Sequence, residues 1–285
     1  MNWTTLVTAA DLAASLGAAD LVVVDCRHVL ADADAGEQTW RAGHLPGAGH
    51  VHLDRDLSDH RKPAAQGRHP LPDAADFTAV LRRLGIGPGT QVVAYDAGEG
   101  AMAAARFWWL LRLLGHARVA VLDGGLAAWT ARGLPLETAI PAHEPGDYAG
   151  QFDLAQVADV QEVMSRLHEA PGWLLDARAP ERFRGEVEPL DPVAGHVPGA
   201  RNRPYAYNLV QGVFKPAGKL REEFLALIGS RDPAEVVLGC GSGVTACHNL
   251  LAMEHAGLHG ARIYAGSWSG WVSDRARPVA TGAAS

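Results

Sequence analysis

Cysteine is scarce in this sequence: three residues in 285, with no regular spacing. An odd and irregular set does not make a disulfide framework and fits a reducing compartment, so a cytoplasmic location is expected. Long apolar runs are missing as well. Nowhere do about 18 apolar residues follow one another, and Met1-Asn2-Trp3-Thr4-Thr5 lacks the basic segment and apolar stretch of a secretory signal, so no membrane partner is expected. There is no surplus of positive charge either. Lys plus Arg number 25 against 32 Asp plus Glu, a net charge of -7 with the signs intermixed, which leaves no broad cationic surface for nucleic acid. The 13 histidines do not pair with other donors at ligand spacing, so no metal is expected.

Apolar residues are abundant instead, at 48% of the chain, enough for two cores at this length. Thr8 to Asp11 resembles a capping box that opens a short helix, and Leu21 to Asp25 is an apolar β-branched run of buried-strand character. A polar loop is expected from Asp32 to Ala42. Gly43-His44-Leu45-Pro46-Gly47-Ala48 then marks a tight turn into an extended segment. Asp73 caps a helix that runs through Leu84, Gln91 to Asp96 is a strand, Ala103 to Leu114 an apolar helix, Val119 to Leu122 a strand and Gly125 to Arg132 a short helix.

The same order returns in the second half. Asp25 and Asp176 are 151 positions apart, His44 and His196 are 152, Asp96 and Cys240 are 144, and Trp129 and Trp271 are 142. Offsets this steady indicate duplication of one domain. Strands alternating with helices imply an α/β architecture, each copy a parallel sheet covered by helices on both faces, with functional loops at the carboxyl ends of strands. The expected division is residues 1–136, a linker at 137–154 rich in Pro, Gly and acidic residues, and 155–285. Gly185 to Pro192 reads as a long acidic loop, and the tail after Pro278 as frayed.

The differences between the copies carry the chemistry. Val236 to Cys240 reads as a buried strand, and Cys240-Gly241-Ser242-Gly243-Val244-Thr245 as a loop that opens on a cysteine and closes on an apolar helix. Glycines let such a loop aim several backbone N–H groups at one sulfur, with the positive end of the helix behind them, so Cys240 is expected to ionise readily. The first copy has Asp96 there, backed by Glu99, which cannot act as a soft nucleophile. One active site per chain follows, with the first copy covering the cleft and supplying side chains to it. Cys247 falls two helical turns after Cys240 and is expected to be inert.

With these motifs the chain resembles the two-domain rhodanese and 3-mercaptopyruvate sulfurtransferase family. The resemblance runs from Leu21 to about Pro278. It rests on Gly43 to Ala48, Tyr95-Asp96-Ala97, Arg106-Phe107-Trp108-Trp109, Leu122 to Gly125 with Trp129, Gly195 to Ala200, and Cys240 to Thr245. It implies two tandem rhodanese-like domains, the second catalytic. The implied reaction passes sulfane sulfur from a small-molecule donor through a Cys240 persulfide to a thiol, cyanide or thioredoxin-like protein acceptor, without a cofactor. Gly241, Gly243, Val244 and Thr245 would line the donor site. The neutral loop is similar to that of the mercaptopyruvate-using members rather than the thiosulfate-using ones.

Arg182 matches the first of two arginines that hold the donor's carboxylate in such enzymes. The second is missing, because Glu188-Pro189-Leu190-Asp191 stands where the family has an arginine after Glu-Pro; Arg184, Arg201 and Arg203 are the candidates to replace it. Ser242 and His44 match residues proposed to assist proton transfer, with Asp32 or Asp34 as the acid. His196, the twin of His44, reads as a turn-stabilising imidazole, and Asp176 and Arg178, twinned by Asp25 and Arg27, read as structural. Trp108, Trp109, Trp129 and Trp271 read as core. A cysteine phosphatase is disfavoured because Ala246 stands where an arginine would grip phosphate. A non-enzymatic persulfide carrier would use the same thiolate, but two complete domains favour an enzyme.

Overall fold

Residues 1–98 and 102–283 are described by the computed structural model of the chain, so Glu99 and Gly100 lie outside the described residues. Two compact units emerge, and they do not follow a single cut in the sequence. The first comprises Met1–Asp59, Pro72–Asp153 and Gln211–Phe214; the second comprises His60–Leu71, Leu154–Val210 and Lys215–Ser285.

In the first unit, strands β1 (Leu6–Val7), β2 (Leu21–Asp25), β3 (Gly49–His50), β4 (Gln91–Tyr95) and β5 (Val119–Leu122) form one sheet in the order β1-β5-β4-β2-β3. Every pairing is parallel, and β2 registers on β4 with Val22 beside Val92 and Val24 beside Ala94. A parallel sheet needs both faces covered, which is why β4 and β5 are buried along their whole length. The helix Ala103–Leu113 is buried nearly all round and carries Trp108 and Trp109 into the core. Its Arg106 is also buried, with the guanidinium over the Trp109 ring. Thr8 caps the helix Ala9–Ser15 by accepting from the Asp11 N–H.

The second unit repeats this plan. Strands β6 (Val157–Ala158), β7 (Leu174–Asp176) and β8 (Arg201–Asn202) join two later strands, while the short β9 (Leu209–Val210) and β10 (Val213–Phe214) stand outside the large sheets. With β11 (Val237–Gly239) and β12 (Arg262–Tyr264) the order is β6-β12-β11-β7-β8, again all parallel. This is the order of the first sheet under the duplication read from the sequence.

Three local expectations are corrected. The polar stretch Asp32 to Ala42 is not all loop: Ala35–Ala42 is a helix held by the Glu37–Arg41 pair at 2.8 Å and anchored by Trp40 alone, too little apolar pattern to show. Residues 137–153 are packed on the first unit, with Gly146 N–H donating to Arg82, Asp153 N–H donating to Leu113, and Tyr148 buried. The stretch from Val279 to Gly282 is fixed rather than frayed, because Ala280 exchanges backbone hydrogen bonds with His196 and Gly282 N–H donates to Arg184.

One buried ion pair occurs in both units at the end of the second strand of each copy. Arg27 grips the Asp25 carboxylate at 2.7 Å and donates to the Gly43 carbonyl at 2.7 Å. Arg178 grips Asp176 at 2.7 Å and donates to the Gly195 carbonyl at 2.8 Å. In each case a guanidinium fastens the strand end to the glycine-histidine-proline turn. Asp25 also accepts from the Tyr95 hydroxyl at 2.5 Å, so Arg27 is one of two groups that satisfy it. Replacing Arg27 by Ala leaves that carboxylate buried with no countercharge, held by the Tyr95 hydroxyl and the residue-27 backbone N–H alone among the described residues, and the variant is expected to lose about 3–5 kcal/mol of stability. Urea denaturation measures this; a loss below about 1 kcal/mol would mean that the pair does not hold the turn.

Candidate active site

The loop that follows β11 is built by its backbone. Gly243 has a φ of +78°, and a Cβ there would lie 2.5 Å from the Ala265 carbonyl oxygen, so only glycine fits. The turn made there directs the Gly243 N–H at the Cys240 sulfur, at 3.1 Å. Immediately afterwards comes the helix Thr245–His255, whose first turn faces the same loop. Cys240 is 2% exposed and Ser242 6% exposed, so both side chains are shielded.

A second loop fixes the first from the other side. Trp268 N–H donates to the Cys240 carbonyl and Ser269 N–H to the Gly241 carbonyl, each at 2.9 Å. Ser267 adopts φ of +50°, rare for a residue with a Cβ, and its buried hydroxyl oxygen accepts from the Cys240 N–H at 3.1 Å while lying 4.0 Å from the sulfur. Sequence reasoning missed Ser267. A signal was present: its partner in the first copy is Gly125, at φ of +57°, so a serine had replaced a glycine at a left-handed position.

The structure brings a histidine to Ser242, and it is His69 rather than His44. His69 Nδ1 lies 2.7 Å from the Ser242 hydroxyl oxygen, and the ring is buried. It arrives on the segment His60–Leu71, which belongs to the second unit although it comes from the first half of the sequence. That segment is seated by a turn at Ala64–Gln66, by the Arg68 N–H donating to Ser269 Oγ at 2.9 Å, and by Gly67, where a Cβ would strike the Gly266 carbonyl at 2.5 Å. His44 lies in the first unit with Nδ1 against the Trp40 carbonyl at 2.8 Å and Nε2 against the Ala139 carbonyl at 3.2 Å. Its twin His196 contacts the Phe183 carbonyl in the same way, at 2.7 Å. Both are turn-stabilising imidazoles. Of the acids suggested beside His44, Asp32 and Asp34 are exposed and share a local turn, Asp34 N–H donating to Asp32.

Arg182 does reach the loop. A Cβ built on Gly241 would lie 3.6 Å from Arg182 Nη1, and also 3.4 Å from Arg68 Nη2, so two guanidiniums cover the residue that follows Cys240. Arg68 was not among the expected arginines. Those three are engaged elsewhere: Arg184 with Glu186 at 2.7 Å, Arg201 with the Leu227 carbonyl at 2.6 Å, and Arg203 with Glu223 at 2.8 Å and with Asn208. Arg178 stays charged: burial opposes its charge, but Asp176 and Glu188, with a contribution from Cys240, hold its pKa above the ordinary arginine value. Cys247 is buried on the helix and donates to the Gly243 carbonyl at 3.2 Å.

Elsewhere, His28, His52 and Asp54 bring ligand atoms within 4.8 Å of one another. Both His52 nitrogens are already engaged with backbone, Nε2 with the Ala33 carbonyl and Nδ1 with the N–H groups of Asp54 and Arg55, as a helix cap requires. A cleft of about 490 Å³ in the first unit is lined by Arg41, Arg55 and Arg83, each paired with Glu37 or Asp56, and includes none of the loop residues.

Two α/β units of identical strand order, one carrying a cysteine loop between a strand and a buried helix, define a tandem-domain protein with one thiol centre. A family model described as a rhodanese-like domain matches residues 8–132 and 159–274, and the chain belongs to that family. A relative from Pseudomonas aeruginosa named "Probable 3-mercaptopyruvate sulfurtransferase" is 49% identical over 99% of this chain and 100% of its own length. Another, from Mycobacterium tuberculosis, is named "Putative thiosulfate sulfurtransferase SseB" and is 42% identical over 98% of each chain. Among solved structures, the 3-mercaptopyruvate sulfurtransferase SseA from Escherichia coli superposes with a TM-score of 0.80 at 32% identity, over 93% of this chain and 99% of that one. The protein is accordingly a sulfurtransferase of the rhodanese-like family.

Asp96 holds the position of Cys240 in the first copy. Its Oδ2 accepts from the N–H groups of Met102 and Ala104 at 3.2 and 3.1 Å, as an anion at a helix start does. Burial nevertheless pushes the carboxyl up to about 7, against those two N–H groups. With the folded pKa above the unfolded value near 3.8, the folded state binds the extra proton between these limits, so stability falls as pH rises from about 4 to about 7 and levels off above. Asp96→Asn removes this dependence. The variant is expected to gain roughly 1–3 kcal/mol on wild type between pH 5 and pH 8 in urea denaturation, whereas a difference independent of pH would contradict it.

Proposed function

We propose that the protein transfers the thiol sulfur of 3-mercaptopyruvate to an acceptor through a persulfide on Cys240, in which it becomes sulfane sulfur. The observation that carries the reading is the Cys240 sulfur held by the Gly243 N–H, with two guanidiniums over the adjacent Gly241. The Cys240 thiolate attacks the donor's sulfur, the C–S bond breaks, and its electron pair moves onto carbon as the enolate of pyruvate. The persulfide retains the transferred sulfur. The enolate takes a proton to give pyruvate, and the Ser242–His69 hydrogen bond supports a role for that pair in moving it. A thiolate or cyanide acceptor then attacks the outer sulfur and returns the Cys240 thiolate. In the persulfide the outer sulfur carries the negative charge, which the Gly243 N–H and the helix start favour.

Thiosulfate is the second reading, since paired guanidiniums also accept a dianion and one full-length relative carries a thiosulfate name. Steady-state transfer to cyanide from each donor separates the two. Wild type is expected to show the higher kcat/KM with 3-mercaptopyruvate, Cys240→Ser to lose turnover with both, and a preference for thiosulfate would overturn the donor assignment. Multiple turnovers with a small donor and acceptor exclude a mere persulfide carrier. For His69→Ala, kcat with 3-mercaptopyruvate is expected to drop about 100-fold and its pH profile to flatten. An unchanged pH profile would reduce His69 to a structural partner of Ser242.

A further inference from the structure

Two of the three acids in the loop Gly185 to Pro192, Glu188 and Asp191, are held in different ways. Glu188 is an anchor: its carboxylate accepts from Arg182 at 2.6 Å, from Arg178 at 3.4 Å, and from the backbone N–H groups of Leu190 and Asp191 at 3.0 and 3.2 Å. Although burial works against it, Arg182 and those N–H groups hold the Glu188 carboxyl below its ordinary range. Asp191 has no such backbone support among the described residues. Its Oδ1 meets Arg68 Nη1 at 2.6 Å and its Oδ2 meets Arg182 Nη2 at 3.4 Å, so one carboxylate bridges the two guanidiniums that cover Gly241. The side chain is 4% exposed.

We infer that Arg68 and Arg182 form a carboxylate-binding pair beside Cys240, and that Asp191 is its built-in occupant, displaced when the carboxylate of an α-keto acid donor enters. This rests on the proposed mercaptopyruvate activity for its biological meaning, and deepens it by naming the second arginine and the group that competes with substrate.

Three features support exchange over a fixed ion pair. The geometry is already that of a carboxylate bound to two guanidiniums, one oxygen to each. Asp191 depends on those two cations alone among the described residues, whereas the loop keeps its shape through Glu188. Burial also pushes the Asp191 carboxyl above its ordinary range in spite of Arg68, so the ionised side chain is less secure there than Glu188. The exchange is one anion for another, with no covalent step and no net change in the charge between the guanidiniums.

The test uses two independent readouts. Pyruvate is titrated calorimetrically into Cys240→Ser protein carrying in addition no change, Arg68→Met or Asp191→Asn, and KM for 3-mercaptopyruvate is measured for Arg68→Met, Arg68→Lys and Asp191→Asn. Losing a charged hydrogen-bonding partner should weaken pyruvate and raise KM about tenfold or more for Arg68→Met, with Arg68→Lys recovering part of it. Asp191→Asn should tighten pyruvate and lower KM by about threefold or more, because the competitor has lost its charge. Pyruvate binding unaffected by Arg68→Met, or a raised KM in Asp191→Asn, would overturn the inference, the second making Asp191 a positioning residue. Melting curves confirm that each variant is folded. If wild type turns over thiosulfate but not 3-mercaptopyruvate, the functional reading fails by itself, and the pyruvate titration still decides whether the pair binds a carboxylate.

Discussion

The Arg178 guanidinium is the constraint on which the second unit's site depends. It closes the end of β7 through Asp176, holds the carbonyl of Gly195 in the turn, reaches Glu188 in the acidic loop, and lies 4.8 Å over the Trp268 ring. Trp268 in turn donates its backbone N–H to the Cys240 carbonyl. A single buried cation therefore connects strand end, turn, acidic loop and cysteine loop. Burying it is tolerable because each side of the guanidinium meets a carboxylate or carbonyl, so no charge is left unpaired. Among the described residues, the same cation in the first unit, Arg27, grips only Asp25 and Gly43. The shared part of the arrangement maintains the fold, and the added reach to Glu188 is what ties the fold to the site.

Comparing the copies separates scaffold from chemistry in the same way elsewhere. The Trp129 indole donates to Pro135 and the Trp271 indole to Pro278, both at 2.9 Å, and the N–H of Leu126, after Gly124-Gly125, donates to the Asp96 carbonyl as that of Trp268, after Gly266-Ser267, donates to the Cys240 carbonyl. These contacts are indifferent to what side chain the loop carries. Cysteine for Asp96, serine for Gly125 and an arginine-acid cluster over Gly241 are the changes that turn one copy into a thiol centre. Ser267 shows the cost of such a change, since a side chain is held where glycine would sit without strain. Its compensation is a hydroxyl that orients the Cys240 backbone.

Much of the fold was legible in the sequence because apolar runs and a repeat report directly on buried parallel strands. Leu21 to Asp25, Gln91 to Tyr95 and Val119 to Leu122 stood out as strands, while edge strands such as Gly49–His50 and Arg201–Asn202 carry too few residues to leave a pattern. Around the cysteine loop, Cys240 was singled out from the loop itself, whereas Ser242 and Arg182 came from the family resemblance. His69 and Arg68 came from neither. They lie on a stretch of the first half that packs into the second unit, and no periodicity or spacing announces a segment that changes its unit. His44 was named because it matches a residue that the family resemblance implies in proton transfer, yet the same turn recurs at His196 with the same imidazole-to-carbonyl contact, and recurrence in both copies marks a structural role.

The acidic loop shows why the arginine count in a motif is a poor guide to the charge at a site. A missing arginine after Pro189 suggests a weakened anion site when the sequence is read linearly. In space, Arg68 supplies a guanidinium from another segment, and Asp191 brings the opposite charge to the same point. With Asp191 bridging the pair and Glu188 on Arg182, the two guanidiniums already meet two carboxylates, so their attraction for a further anion depends on the difference between Asp191 and its competitor rather than on the number of cations. A bound anion must outcompete a tethered one. On the proposed reading, that condition selects donors able to add binding beyond their charge, through whatever they present to Cys240, Ser242 and the N–H groups of the loop.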